Sequence, residues 1–99
     1  MQRDEVIAVV REMASSLREQ GVAAAYLFGS FARKDSTGSS DVDIAFDLAD
    51  DAHDFSLIDQ ARLQRELSSA LGRSVDLVER AYLRPRVAQA AKRDFIQIF

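Results

Sequence analysis

The chain has 99 residues, 47% of them hydrophobic and 29% charged, with 16 acidic against 13 basic side chains and a formal charge of -3. That length supports one packed domain spanning residues 1–99; the acidic balance argues against a nonspecific electrostatic grip on nucleic acid, and the lack of cysteine excludes disulfides, thiolate zinc sites and cysteine nucleophiles. No apolar run approaches the roughly 20 residues of a membrane span, and the opening Met1-Gln2-Arg3-Asp4-Glu5 lacks the apolar core of a secretory leader, so a soluble cytoplasmic protein with no membrane partner is expected.

Val6, Val10, Met13 and Leu17 recur at steps of four, three and four, which predicts a helix from Arg3 to Gln20 that stops at Gly21. Val22 to Phe28 is short and almost wholly apolar, the pattern of a strand buried on both faces, and Gly29-Ser30 ends it. A helical turn at Phe31 to Arg33 leads into a polar connector from Lys34 to Ser40. Asp41 to Leu48 reads as a second strand, with Val42, Ile44 and Phe46 on one face and Asp41, Asp43 and Ala45 on the other. Leu63, Leu67 and Leu71 mark a helix from about Phe55 to Leu71, preceded by Asp50, Asp51 and Asp54 and closed by Gly72. Ser74 to Glu79 is a third strand, Val75 and Leu77 facing one way and Asp76 and Val78 the other. After Arg84-Pro85 a short helix runs to about Arg93, and the apolar end Phe95-Ile96-Gln97-Ile98-Phe99 either docks on the body or meets a partner. With no internal repeat, the element order implies an α/β (α+β) layer fold, a small mixed three-stranded sheet with helices packed against it.

The chemistry concentrates in Gly29-Ser30, a gap of ten residues, and Asp41-Val42-Asp43. Residues two apart on a strand project on one face at roughly 6.5–7 Å, so Asp41 and Asp43 lie side by side. Paired carboxylates that are partly desolvated need a cation, and oxygen ligands without His or Cys favour magnesium or manganese over zinc. Gly29 lets main-chain N–H groups approach a phosphate with no Cβ in the way, and the Ser30 hydroxyl adds a donor. If the first two strands are antiparallel neighbours, this cradle meets the carboxylates, and a parallel crossover through the intervening helix brings Asp76 to the same end of the sheet. An EF-hand is excluded because Phe46 and Ala52 stand where it needs Gly and Glu, and neither a Walker loop nor a dinucleotide glycine motif is present.

These residues, with the later strand acid in Val75-Asp76-Leu77-Val78, resemble the minimal nucleotidyltransferase (MNT) family of the DNA polymerase β superfamily, and the similarity covers nearly the whole chain. The resemblance implies a nucleotidyltransferase fold and transfer of AMP from ATP with two magnesium ions, manganese being an alternative. Many such proteins are antitoxins that modify a tyrosine of a HEPN-domain RNase toxin, which implies a hetero-oligomer with that partner. It also assigns the metal ligands and catalytic acids to Asp41, Asp43 and Asp76, and nucleotide binding to Gly29, Ser30 and Arg33. Two positions depart from the family: Lys34 stands where Gly is frequent, and Asp94-Phe95 replaces an acidic-Gly pair.

Plainer readings exist for each feature. The acids could be solvated groups on a strand edge, Gly29-Ser30 a simple turn, and Arg33 a partner for Asp35. His53, flanked by acids before a helix, is read as a surface or capping residue. The basic stretch Arg80, Arg84, Arg86, Lys92 and Arg93 is a solvated helix face or a partner surface. At the level of function, the alternative to catalysis is an antitoxin that neutralises its partner by occlusion alone. Transfer to a small molecule, as in aminoglycoside-modifying enzymes, lacks a second substrate domain.

Overall fold

The computed structural model describes residues 1–99, the side chain of residue 90 excepted. Five helices and a four-stranded sheet follow in the order α1 (Arg3–Glu12), α2 (Ala14–Glu19), β1 (Val22–Phe28), α3 (Gly29–Arg33), β2 (Val42–Leu48), α4 (Leu57–Leu71), β3 (Val75–Glu79), a 3-10 turn (Arg80–Tyr82), α5 (Pro85–Lys92) and β4 (Ile96–Gln97). The sheet order is β3-β2-β1-β4. β1 and β2 are antiparallel, placing Phe28 opposite Asp43, whereas β2 and β3 are parallel, placing Asp43 beside Asp76. Both conditions for gathering the predicted site are therefore met.

Two expectations need correction. The sheet has four strands and not three, because Ile96 and Gln97 pair antiparallel with Leu27 and Tyr26. Beyond that ladder, the Ile98 N–H donates to the Ala25 carbonyl at 2.7 Å and the Ala25 N–H to that of Phe99 at 3.2 Å. Arg11 Nε adds a bond to the Ile98 carbonyl at 3.0 Å, so the apolar end docks on the body. The first helix, read as continuous, breaks at Met13, whose N–H bonds to the carbonyl of Val10 in a tighter, 3-10-type step. Side-chain spacing could not reveal this break, since Val10, Ala14 and Leu17 stay buried on either side of it.

α1, α2 and α4 cover one face of the sheet. There Val6, Val10 and Leu17 meet Leu27, Ile44, Phe46, Leu63 and Leu67 in one continuous core. Burying each large apolar side chain of this kind contributes about 1.5–3 kcal/mol, which fixes which way every strand presents its alternate residues. Asp43 and Asp76 consequently face the side away from the core, where α5 and Phe95 lie. Among the described residues no helix is long and apolar enough to cross a membrane.

Candidate active site

The end of β1 and the start of β2 touch at Gly29. Its φ of +75° belongs to the left-handed region, and a Cβ there would overlap the Asp43 carboxylate and lie 3.0 Å from its Cγ and 3.2 Å from its Cβ. Glycine is thus demanded twice, by backbone conformation and by the close approach of α3 to the acid. The same contact sets the start of α3, and with it Ser30, directly against Asp43.

Asp43 is half-buried, while Asp41, just before β2, and Asp76, on β3, are exposed. The Asp43 carboxyl is pushed above its ordinary value, first by burial and then by the negative charges of Asp76 and Asp41; the Arg33 guanidinium acts in the opposite direction. Asp41 and Asp76 therefore both lie close enough for their charges to act on Asp43. Among the described residues, however, no three acidic or imidazole groups are drawn tightly enough to enclose a metal ion. An open set of hard oxygen donors bearing surplus negative charge suits a magnesium ion, which keeps waters and substrate phosphate oxygens among its ligands and seldom sits in an all-protein cage.

A cleft of about 460 Å³ lies along this seam. Five of the six residues singled out from the sequence, Gly29, Ser30, Arg33, Asp41 and Asp43, line it together with Ser40. Asp76 is in register with Asp43 but is not part of the cleft wall, so it flanks the cleft on the β3 side. Sequence reasoning missed the remaining wall, formed by Phe28 and by Val87, Ala91 and Asp94 from α5 and the turn after it. Phe95 packs edge-on to Phe28 at 5.5 Å between centroids, which holds that turn against β1. The apolar pattern of α5 was the one available signal, and it does not say where the helix docks.

Arg33 bonds to Asp35 at 3.1 Å and to Asp94 at 3.0 Å, bridging α3 to the turn that follows α5. Arg33 thus pairs with Asp35, as the plainer reading has it, and its position is in the wall of the cleft. Further along the same face, Arg80 grips both Asp47 oxygens at 2.9 and 2.8 Å and lies 4.3 Å over the Tyr26 ring, whose hydroxyl also donates to Asp47 at 3.2 Å. Burial, and after it the Asp47 charge, raises the Tyr26 phenol above its usual range. Arg80 therefore belongs to this sheet-bound cluster, while Arg84, Arg86, Lys92 and Arg93 are exposed. His53 is exposed in a turn and is not among the residues lining the cleft.

Comparison with known proteins gives a concordant result. Residues 11–99 match the family described as "Polymerase beta, Nucleotidyltransferase". The chain is 30% identical over 96 residues to the protein adenylyltransferase MntA of Thermococcus cleftensis, covering 96% of this chain and 94% of that protein. Its fold superposes with a TM-score of 0.77 on a solved candidate minimal nucleotidyltransferase, at 32% identity and covering 97% of this chain and 95% of the other. Two toxin–antitoxin structures are also similar. One, solved with AMP-PNP, gives a TM-score of 0.72 at 27% identity and covers all of this chain and 73% of the matched one. The other, a tri-AMPylated HEPN toxin of Shewanella oneidensis in complex with its MNT antitoxin, gives 0.68 at 25% identity and covers 99% and 72%.

Proposed function

The chain belongs to the polymerase beta nucleotidyltransferase family, and on that premise we propose that it transfers AMP from ATP to a hydroxyl, the phenol of a tyrosine, on a HEPN-domain toxin and thereby acts as its antitoxin. The observation that carries this reading is the contact of Gly29 with Asp43, which sets a phosphate-accepting turn against an acid flanked by Asp41 and Asp76. The similarity to an AMPylated toxin's antitoxin complex supports the acceptor, and similarity to a complex holding AMP-PNP supports the donor. In this reading residues 1–99 form one transferase domain, supported by a single continuous core, and the reaction, which draws on ATP, is assigned to the cytoplasm.

The roles follow from position. The Ser30 main-chain N–H and hydroxyl donate to the β and γ phosphates, an approach open because Gly29 has no side chain. Arg33, exposed at the mouth of the cleft, exchanges a carboxylate partner for phosphate oxygen. Asp41 and Asp43 are the residues that would hold two divalent ions, magnesium or manganese. When bound, such ions neutralise the charge of the phosphates and favour the deprotonated hydroxyl. Asp76, outside the nucleotide cleft but beside Asp43, faces the acceptor and takes the hydroxyl proton. The acceptor oxygen bonds to the α-phosphorus as the bond from that phosphorus to the bridging oxygen breaks, and pyrophosphate leaves with the electron pair. Positioning and charge compensation supply the rate.

Incubating the purified protein with α-labelled ATP, magnesium and the HEPN toxin tests this directly. Label is expected on the toxin, with Asp41→Asn and Asp43→Asn each lowering the rate by at least about 100-fold. A toxin that is neutralised but unlabelled would instead establish occlusion.

A further inference from the structure

α3 has two working faces. Ser30 and Arg33, three residues apart, line the nucleotide cleft, whereas Phe31 and Lys34, also three apart, line a separate cavity of about 500 Å³ behind the helix. That second cavity is concave and basic in a chain whose net charge is -3. Arg3, Lys34 and Arg73 contribute cations to its wall and Ser36 and Thr37 hydroxyls, against the single carboxylate of Asp4. We propose that it is a binding site for a small phosphate anion, inorganic phosphate or pyrophosphate, distinct from the nucleotide cleft and independent of the reading given above.

Three features of the cations carry this. Lys34 has a φ of +63° and is the only described non-glycine residue with positive φ. A left-handed conformation costs a residue with a Cβ roughly 1–2 kcal/mol, and glycine would occupy this helix end without that cost. Lysine there makes no ion pair among the described residues, so its ammonium is free to meet a ligand. Arg3 is anchored by a bond from its NH1 to the Ala32 carbonyl at 3.1 Å, yet its Nε is buried without a hydrogen-bond partner. The Asp4 carboxylate stands 4.0 Å from that Nε and is 90% exposed, which leaves the donor unsatisfied. Arg73 is preorganised, stacked 5.3 Å over the Phe31 ring and bonded through NH1 to the carbonyls of Gly38 and Ser40. The fixed Arg73 guanidinium, the anchored Arg3 guanidinium and the free Lys34 ammonium gathered on one concave wall match a multivalent oxyanion better than a flat protein surface.

The test is a titration with inorganic phosphate, and separately with pyrophosphate, at constant ionic strength, read by amide chemical shifts and by thermal protection. Saturable shifts are expected at Thr37, Gly38 and Arg73; the stronger of the two ligands identifies the source of the anion. Arg73 also tethers the loop, so the informative variants are Lys34→Gly and Arg3→Gln, each expected to weaken binding at least about tenfold. Lys34→Gly should at the same time melt no lower than the parent chain, because glycine relieves the left-handed backbone; loss of binding is thereby separated from loss of fold. Shifts confined to Gly29 and Ser30, binding unchanged in both variants, or Lys34→Gly loosening only the toxin complex while phosphate binding persists would overturn the proposal.

Discussion

At the scale of single residues, the site rests on one place where a side chain is forbidden. Gly29→Ala must put a methyl into the Asp43 carboxylate at a backbone angle that alanine disfavours. We expect it to destabilise the fold by more than about 1 kcal/mol, measured by denaturant midpoint, and to abolish adenylyl transfer. Asp43→Asn should behave oppositely in stability. Its carboxyl is raised above its ordinary value in the folded state, so ionisation opposes folding increasingly as the pH climbs from the ordinary value, and fully once it has passed the raised one. The neutral amide removes the penalty: the variant should melt higher than the parent at neutral pH while losing activity. This advantage should shrink as the pH falls through the raised value and vanish below the ordinary one. Gly29, Asp41 and Asp43 were legible because a strand's period of two and the requirements of a tight turn are local. The Arg33–Asp94 pair, 61 residues apart in the chain, was not.

At the scale of elements, α4 shows how a boundary is decided by a hydrogen bond and not by composition. The acids Asp50, Asp51 and Asp54 marked its approach, but the cap is Ser56: the Asp59 N–H donates to its Oγ at 3.2 Å, and the Ser56 N–H donates back to Asp59 at 2.8 Å. These bonds hold the Asp59 carboxyl below its usual value, so its contribution is present at neutral pH and is lost as the pH falls through that lowered value. Ser56→Ala should cost about 1 kcal/mol, read as a fall in melting temperature of roughly 4–8 °C. The C-terminal elements are bound differently, through Phe95 against Tyr26 and Phe28. Phe95→Ala should release the turn that brings Asp94 to the cleft, lowering stability by about 2 kcal/mol and weakening ATP binding, as calorimetry would show. β4 escaped sequence reading because two paired residues are too few for a period to register.

At the scale of the whole molecule, the two faces of the sheet divide the labour. One is closed by α1, α2 and α4 over the core; the other carries charge, with α5 covering only part of it. Desolvating Asp43 on a half-covered face costs stability that the buried face supplies, an arrangement suited to a site completed by its substrate. Transfer to the toxin should therefore stop on chelation of divalent ions and return with magnesium or manganese, while the melting curve of the nucleotide-free chain stays unchanged. A labelling assay with and without chelator, paired with calorimetry, checks both parts.

By itself the sequence determined the strand faces, the helix stripes, the spacing from Gly29 to Asp43 and the resemblance that rests on them, because each depends on neighbours within a few residues or on repeating side-chain periods. Tertiary structure alone decided that Asp43 meets both Gly29 and Asp76, that α5 supplies a wall of the cleft and that the chain end becomes a fourth strand. It also decided that Arg3, Lys34 and Arg73 share a cavity. Such contacts join segments tens of residues apart, and they arise from how the helices and the sheet bury their apolar faces together, a condition that no local pattern encodes.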